Sequence, residues 1–160
     1  MIPESRIENV RGSVFQYLKD NYTETEIAFS RTNFDEEEQD EWIAPTLLVA
    51  GRDFKRQVDN GHLGARLAML LNISIIAKKA FIDGESTAGR AYRPERIRDI
   101  LADLFKEGQN IQVVDNVGGT GNLGVVQVFD IETDQDLGLD ADRGVYNYNF
   151  TPRLFYLLEM

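Results

Sequence analysis

The sequence predicts an α+β fold: an antiparallel sheet with a long β-hairpin, packed by two helices on one face. Three observations carry this. Two stretches, near residues 5–20 and 94–107, set their apolar residues at helical spacing. Several other runs alternate apolar and polar residues with period two. The order helix, strands, helix, strands matches a sheet with its helices segregated to one side, not a repeated strand–helix–strand unit. The 160 residues fit one domain spanning 1–160, and this length is enough for a core without staples.

In the first helix, Ile7, Val10, Val14, Tyr17 and Leu18 form one stripe. Ser5 is the expected N-cap and Asp20-Asn21 the stop. Residues 26–30 read as a short strand, and 35–41 (Asp-Glu-Glu-Glu-Gln-Asp-Glu) as a solvated acidic loop. Next comes Asn60-Gly61 between two strand-like runs, the dipeptide that suits a two-residue hairpin turn. With that turn, Phe54 faces Leu67, Ala50 faces Leu71, Leu48 faces Ile73 and Thr46 faces Ile75. Leu63, Ala65, Leu67, Met69, Leu71, Ile73, Ile75 and Ala77 share one face, and His62, Arg66, Asn72, Ser74 and Lys78 the other. The hairpin covers roughly 42–58 and 63–79, so at ~3.3 Å per residue it reaches about 50 Å unless Pro45 and Gly51 bend it or part of it meets another chain.

A polar connection over 80–92 leads to the second helix. Pro94 suits its first turn, Ile97, Ile100, Leu101, Leu104 and Phe105 form its apolar face, and Gly108 is the expected C′ residue. Strands are expected over 111–117, 123–131 and 145–158. In the last, Tyr146, Tyr148, Phe150, Leu154, Tyr156 and Leu158 share a face, and Pro152 should break the ladder or put the strand at an edge. Residues 130–142 read as a second acidic loop.

The composition narrows the chemistry. With no cysteine there is no disulfide, thiolate metal site or cysteine nucleophile. Against 27 acidic residues stand 17 basic ones, a net charge of −10, which repels phosphate backbones at long range. No apolar run approaches the ~20 residues of a membrane-spanning helix, and the N-terminus does not read as a signal peptide, so a soluble protein is expected. Gly119-Thr120-Gly121-Asn122-Leu123-Gly124 fits G-x-G-x-x-G, but Val125–Phe129 reads as strand where a dinucleotide site needs a helix N-terminus. The acids at 130, 132, 134 and 136 lack the glycine and glutamate spacing of a calcium loop. His62 is the single histidine and no Gly-x-Ser-x-Gly elbow accompanies it. The expectation is a non-enzyme with no cofactor and no metal. Arg90, Arg93, Arg96 and Arg98 form a basic cluster that either bridges to acids of its own chain or contacts a neighbouring subunit.

The order of an N-terminal helix over 7–18, a long hairpin over 42–79, a short amphipathic helix over 93–106 and three strands ending in Phe155-Tyr156-Leu157-Leu158-Glu159-Met160 resembles the tail terminator proteins of long-tailed bacteriophages. That family belongs with other small head–tail joining and tail-completion proteins. The resemblance covers nearly the whole chain and departs from the family in the 131–144 stretch. It implies a virion structural protein: a homo-oligomeric, hexameric ring that caps the tail tube, stops its polymerisation and joins the head. The major tail tube protein and a head–neck connector would be its partners. DNA would pass through the lumen without specific binding, and no membrane is involved. The protein would sit at the head-proximal end of the tail, and in the host cytoplasm during assembly. On this reading Trp42, Phe54, Arg56, Arg66, Arg93, Tyr146 and Tyr148 are the interface candidates. Asp35, Glu36, Glu37, Glu38, Asp134 and Asp136 are the lumen-facing acids. The alternatives are another connector or neck protein, an acidic DNA-mimic inhibitor, and a small metal-assisted hydrolase using the acids of 130–142.

Overall fold

The computed structural model describes residues 4–29, 34–57, 63–81, 92–115 and 122–159, with backbone alone at 4–6, 50–57, 63–66, 122, 158 and 159. The expected Asn60-Gly61 turn, His62, Arg90 and Gly119–Gly121 lie outside the described residues. The elements in order are α1 (Glu4–Asn21), β1 (Glu26–Ile27), β2 (Glu41–Gln57), β3 (Leu63–Ala77), α2 (Arg93–Leu104), β4 (Asn110–Val114), β5 (Asn122–Asp140) and β6 (Val145–Glu159). The six strands form one sheet in the order β1-β2-β3-β6-β5-β4. Every neighbouring pair is antiparallel except β1 with β2. The α+β class and the two helices on one face are as the sequence predicts.

Along β3 the period-two face is buried throughout: Leu67, Met69, Leu71, Ile73, Ile75 and Ala77 are each 0% exposed. Opposite them on β6 stand Tyr156, Leu154, Phe150, Tyr148 and Tyr146. The stripe of α2 (Ile97, Leu101, Phe105) closes over this surface and that of α1 (Val10, Val14, Leu18) over β4 and β5 beside it, all in one cluster. Tyr17 of α1 ties the two helices together, its hydroxyl donating to Leu104 O at 2.7 Å. Ser5 lies inside α1, not at its cap, because the helix begins at Glu4. Helix α2 stops at Leu104, short of 107. Gly108, at φ +85°, serves instead the turn into β4, where Gln109 N donates to Lys106 O.

The first hairpin corrects the sequence register. A two-residue turn makes paired numbers sum to 121, but Trp42 pairs with Ile76 and Leu47 with Leu71, a sum of 118. At the tip Gln57 pairs with Leu63, a sum of 120 and already one off, and irregularities between Val49 and Gly51 and between Asp53 and Arg56 add one each, so the total offset of three is odd. Each extra residue on one strand swaps the faces of everything beyond it. Ile43 and Leu47 therefore join the core, while Leu48, expected inside, is 47% exposed.

The second acidic stretch is not a loop. Strand β5 continues to Asp140, and a four-residue turn, 141–144, returns the chain into β6. Asp140 shapes that turn by accepting from the backbone of Asp142 and Arg143, and Gly144 supplies its positive φ of 67°. Three register shifts, at 128/130, 131/133 and 136/138, leave Phe129, Glu132 and Leu137 as bulged residues. Pairing across bulges does not follow strict alternation, so the sequence pattern reads as loop.

Pro152 breaks a ladder but sits in a central strand, not at an edge. Its register with β5 is kept opposite Ile131, whereas the β3–β6 ladder skips Leu71 and Asn72 opposite Pro152 and Thr151. A central strand tolerates the missing N–H because the gap spans only that step. Gly124, at φ +118°, lies within β5, where an added Cβ would meet Leu157 O at 3.0 Å and Tyr156 Cε2 at 3.1 Å. The final glycine of the G-x-G-x-x-G run thus answers to a close backbone approach in a strand.

The register can be checked directly. Leu47→Ala, which empties a core site, should cost about 2–5 kcal/mol in urea unfolding, and the adjacent Leu48→Ala within about 0.5 kcal/mol. The reverse order would restore the sequence register.

Candidate functional site

With both helices on one side, no described helix covers the other face of the sheet. Its centre is polar: Asn72 and Ser74 of β3 lie beside Thr151 and Asn149 of β6. The Thr151 hydroxyl is 3.0 Å from Asn72 Oδ1 and 2.9 Å from Asn149 Oδ1. At one end Trp42, Ile76 and Val145 form a small second cluster, covered by Ala28 and Phe34. Beside it a concavity of ≈ 360 Å³ is bordered by Ala44, Ser74, Leu137, Arg143, Asn147 and Asn149. Among the described residues no group of acids and histidine is placed to hold a metal ion. No described helix is long and apolar enough to cross a membrane.

The interface candidates divide. Trp42 is 2% exposed and packed against Phe34, with ring centroids 5.8 Å apart. Arg93 is 6% exposed. Its guanidinium donates to both oxygens of Glu41, at 2.8 and 2.7 Å, and to Glu24 at 3.1 Å. These hydrogen bonds, those of Glu41 foremost, raise its pKa above the usual arginine value. The basic cluster's intrachain reading holds for Arg93. Both side chains belong to the interior of this subunit, where sequence reasoning could not place them. Tyr146 stacks edge-on against Tyr92 at 6.1 Å. Phe54, Arg56 and Arg66 lie on β2 and β3, their side chains outside the described residues.

The acids also divide. Asp35–Glu38 are exposed and form a short 3₁₀ turn, which Asp35 caps by accepting from Glu37 N at 3.0 Å. Arg143 reaches from the β5–β6 turn to Glu36 at 3.3 Å, and Lys78 Nζ donates to Glu37 O at 3.0 Å. Asp134 and Asp136 instead face α2. Asp134 receives the Arg98 guanidinium and the Tyr148 hydroxyl, and Asp136 the Tyr92 hydroxyl at 3.2 Å. The hydrogen bonds from Arg98 outweigh partial burial and hold the Asp134 carboxyl below its ordinary 3.8. Burial first, then the bond to Asp134, pushes the Tyr148 phenol up to about 12.

What the sequence does not single out is the exposed apolar set. Phe129 is 49% exposed, Leu137 57% and Leu139 56% on β5, and Leu157 48% on β6. Phe129 lies 4.9 Å from the Phe155 ring, and Arg153 sits 6.0 Å above Phe129 while pairing with Asp130 and Glu132. The available signal was apolar residues alternating with acids between 129 and 139, a strand pattern inside an acidic run.

No family model matches the chain, and no curated protein matches it. Solved structures do share its fold. A chain described as part of the virion of a native gene transfer agent particle superposes with a TM-score of 0.57 at 10% identity, covering 99% of this chain and 100% of that one. A second, known only by a sequence identifier, gives 0.56 at 17% identity over 94% of each chain. The fold is therefore shared end to end with these two chains.

Two outcomes follow from the ion pairs. Arg93→Ala strands two partly buried carboxylates and should cost about 3 kcal/mol in denaturant unfolding, against a few tenths for exposed Lys106→Ala. For Asp134, a depressed carboxyl stabilises the fold above its unfolded value and loses that effect as pH falls through the folded value. The Tm difference between the protein and Asp134→Asn should therefore be full at neutral pH and shrink below about pH 4. A difference unchanged at the acid end would remove the assigned pairing.

Proposed function

We propose that this chain is a structural subunit of a phage-like particle, and within it a tail-terminator ring protein without catalytic activity. The observation that carries this reading is the fold shared over 99% of the chain with a chain of a gene transfer agent virion. The element order that resembles tail terminators points the same way.

The physical layout suits the role. Among the described residues, helices on one face leave much of the other face and parts of the β2 and β5 edges without a covering element. The subunit carries a net −10, so a ring of such subunits repels DNA and lets it pass without sticking. Asp35–Glu38, exposed at one end of the sheet, are the acids we assign to the lumen. Asp134 and Asp136 are taken up by Arg98 and Tyr92. Glu24, Glu41, Asp130, Glu132 and Asp134 are all tied to arginines of the same chain, which suits a solvated structural subunit better than a phosphate mimic that must present free carboxylates. The tail tube protein and a head–neck connector are the partners on the two faces of the ring.

Light scattering across a wide concentration range, with negative-stain imaging alone and on isolated tail tubes, tests this. The expected result is a closed species of six subunits, free or at tube ends. A strict monomer that does not bind tubes would overturn the reading.

A further inference from the structure

Among the described residues the sheet has two edges that are only partly covered, and they differ in character. On one side β1 pairs with β2 only at Trp42 and Ile43, so the outer edge of β2 is open from Ala44 to Gln57 among the described residues. On the other side β4 covers β5 only from Asn122 to Gln127. One more step is closed by Val128, which bonds Gly108 and Gln109 through its backbone. From Phe129 to Asp140 the outer edge of β5 has no backbone partner among the described residues. A long open edge is a template for another strand.

Three further observations concern these edges together. Of the nine large apolar residues exposed in the described part of the chain, six lie on them: Leu48 and Val49 on β2, and Phe129, Ile131, Leu137 and Leu139 on β5. Their charges are complementary by segment. Residues 52–56 hold Arg52, Lys55 and Arg56 against Asp53 alone. Residues 130–142 hold six acids and no base. Arg153 and Arg98 meet Asp130, Glu132 and Asp134 from within the chain, and Asp136, Asp140 and Asp142 have no basic partner among the described residues. Lastly, β2 and β5 run in opposite directions, because three antiparallel steps separate them.

We propose that the β2 edge of one copy pairs antiparallel with the Phe129–Asp140 edge of β5 in the next copy. This inference rests on the ring reading above and assigns its contact. Two copies in the same orientation meet β2 to β5, so the ladder continues from subunit to subunit as a heterologous, head-to-tail interface that closes by rotation. The end of β4 sets the stagger. It fills the slot beside Asn122–Gln127, so an incoming strand must stop at Phe129. Seating residue 57 there brings residues 52–56 alongside 130–134 and sets exposed Val49 beside exposed Leu137. The bulges at Phe129, Glu132 and Leu137 twist this edge, so a flat strand from an unrelated chain fits it poorly while a strand of matching curvature pairs with it.

The chain has no cysteine, which makes disulfide cross-linking a clean test. Lys55→Cys with Ile131→Cys in one chain should give, on mild oxidation of the assembled protein, a ladder of covalent oligomers up to the ring size. Each single-cysteine chain should remain monomeric on the same non-reducing gel, and Lys55→Cys with Leu139→Cys should give little product. An intrachain bond is out of reach, since three strand spacings of ~4.8 Å put β2 and β5 about 14 Å apart, whereas a disulfide needs Cα atoms within about 7 Å. Reduced protein imaged in parallel shows whether the variant still assembles. If it does not, Arg56→Cys with Asp130→Cys replaces the pair. Rings without cross-links from either pair overturn the edge contact and leave the ring reading standing. Dimers from the Lys55→Cys chain alone show a symmetric β2–β2 contact and also overturn it. A chain that never forms rings overturns both.

Discussion

The pairing of β3 with β6 is the constraint on which the rest of the molecule depends. It runs from Gly64 opposite Glu159 to Ala77 opposite Tyr146 and joins two long hairpins into one sheet. The partners are more than 65 residues apart in sequence at every step, so no local turn fixes them. What fixes them is the apolar face each strand brings: Leu67, Met69, Ile73 and Ile75 against Tyr156, Leu154, Phe150 and Tyr148. A slip of one residue would put the two rows on opposite faces and turn one of them away from the core. Helix α2 packs on this seam and α1 beside it, over β4 and β5, and the same core buries Ile43 and Leu47 from β2 and Val126 and Val128 from β5.

The outer strands are less regular than the seam. Strand β2 carries two register shifts, and β5 carries three against β6 and one against β4, while β3 pairs with β6 at one constant register with a single gap at Pro152. A bulge in the seam would misplace half of the core. A bulge in an outer strand only bends it and changes which residues reach the edge. Irregularity has therefore collected in the outer strands, and most of the exposed apolar residues among those described lie there too.

Charge follows the same division. Arg93 is held inside by Glu41 and Glu24, linking the start of α2 to the start of β2, and Arg98 ties α2 to Asp134 of β5. These pairs lock α2 across the end of the sheet. They also remove several acids from the surface charge that a net of −10 suggests, so the acids of Asp35–Glu38 stand out as the exposed group at that end.

The sequence by itself determined the fold class, both helical stripes, the buried face of β3 and the three strands after α2. The helical stripes and the face of β3 rest on a period that repeats without interruption over more than ten residues. It was silent or misleading where an element depends on a distant partner. The face of β2 is inverted because its register at Gln57–Leu63 is already one residue off that of a two-residue turn, and two bulges bring the total offset to an odd three. The stretch 130–140 reads as loop because its acids are satisfied by Arg98, Arg153 and Tyr92, all remote in the chain. Trp42 and Arg93 read as surface anchors because a large aromatic or a cation signals an interface only until a neighbour covers it. Burial, pairing partner and edge exposure are properties of the assembled sheet, and only the tertiary structure decides them.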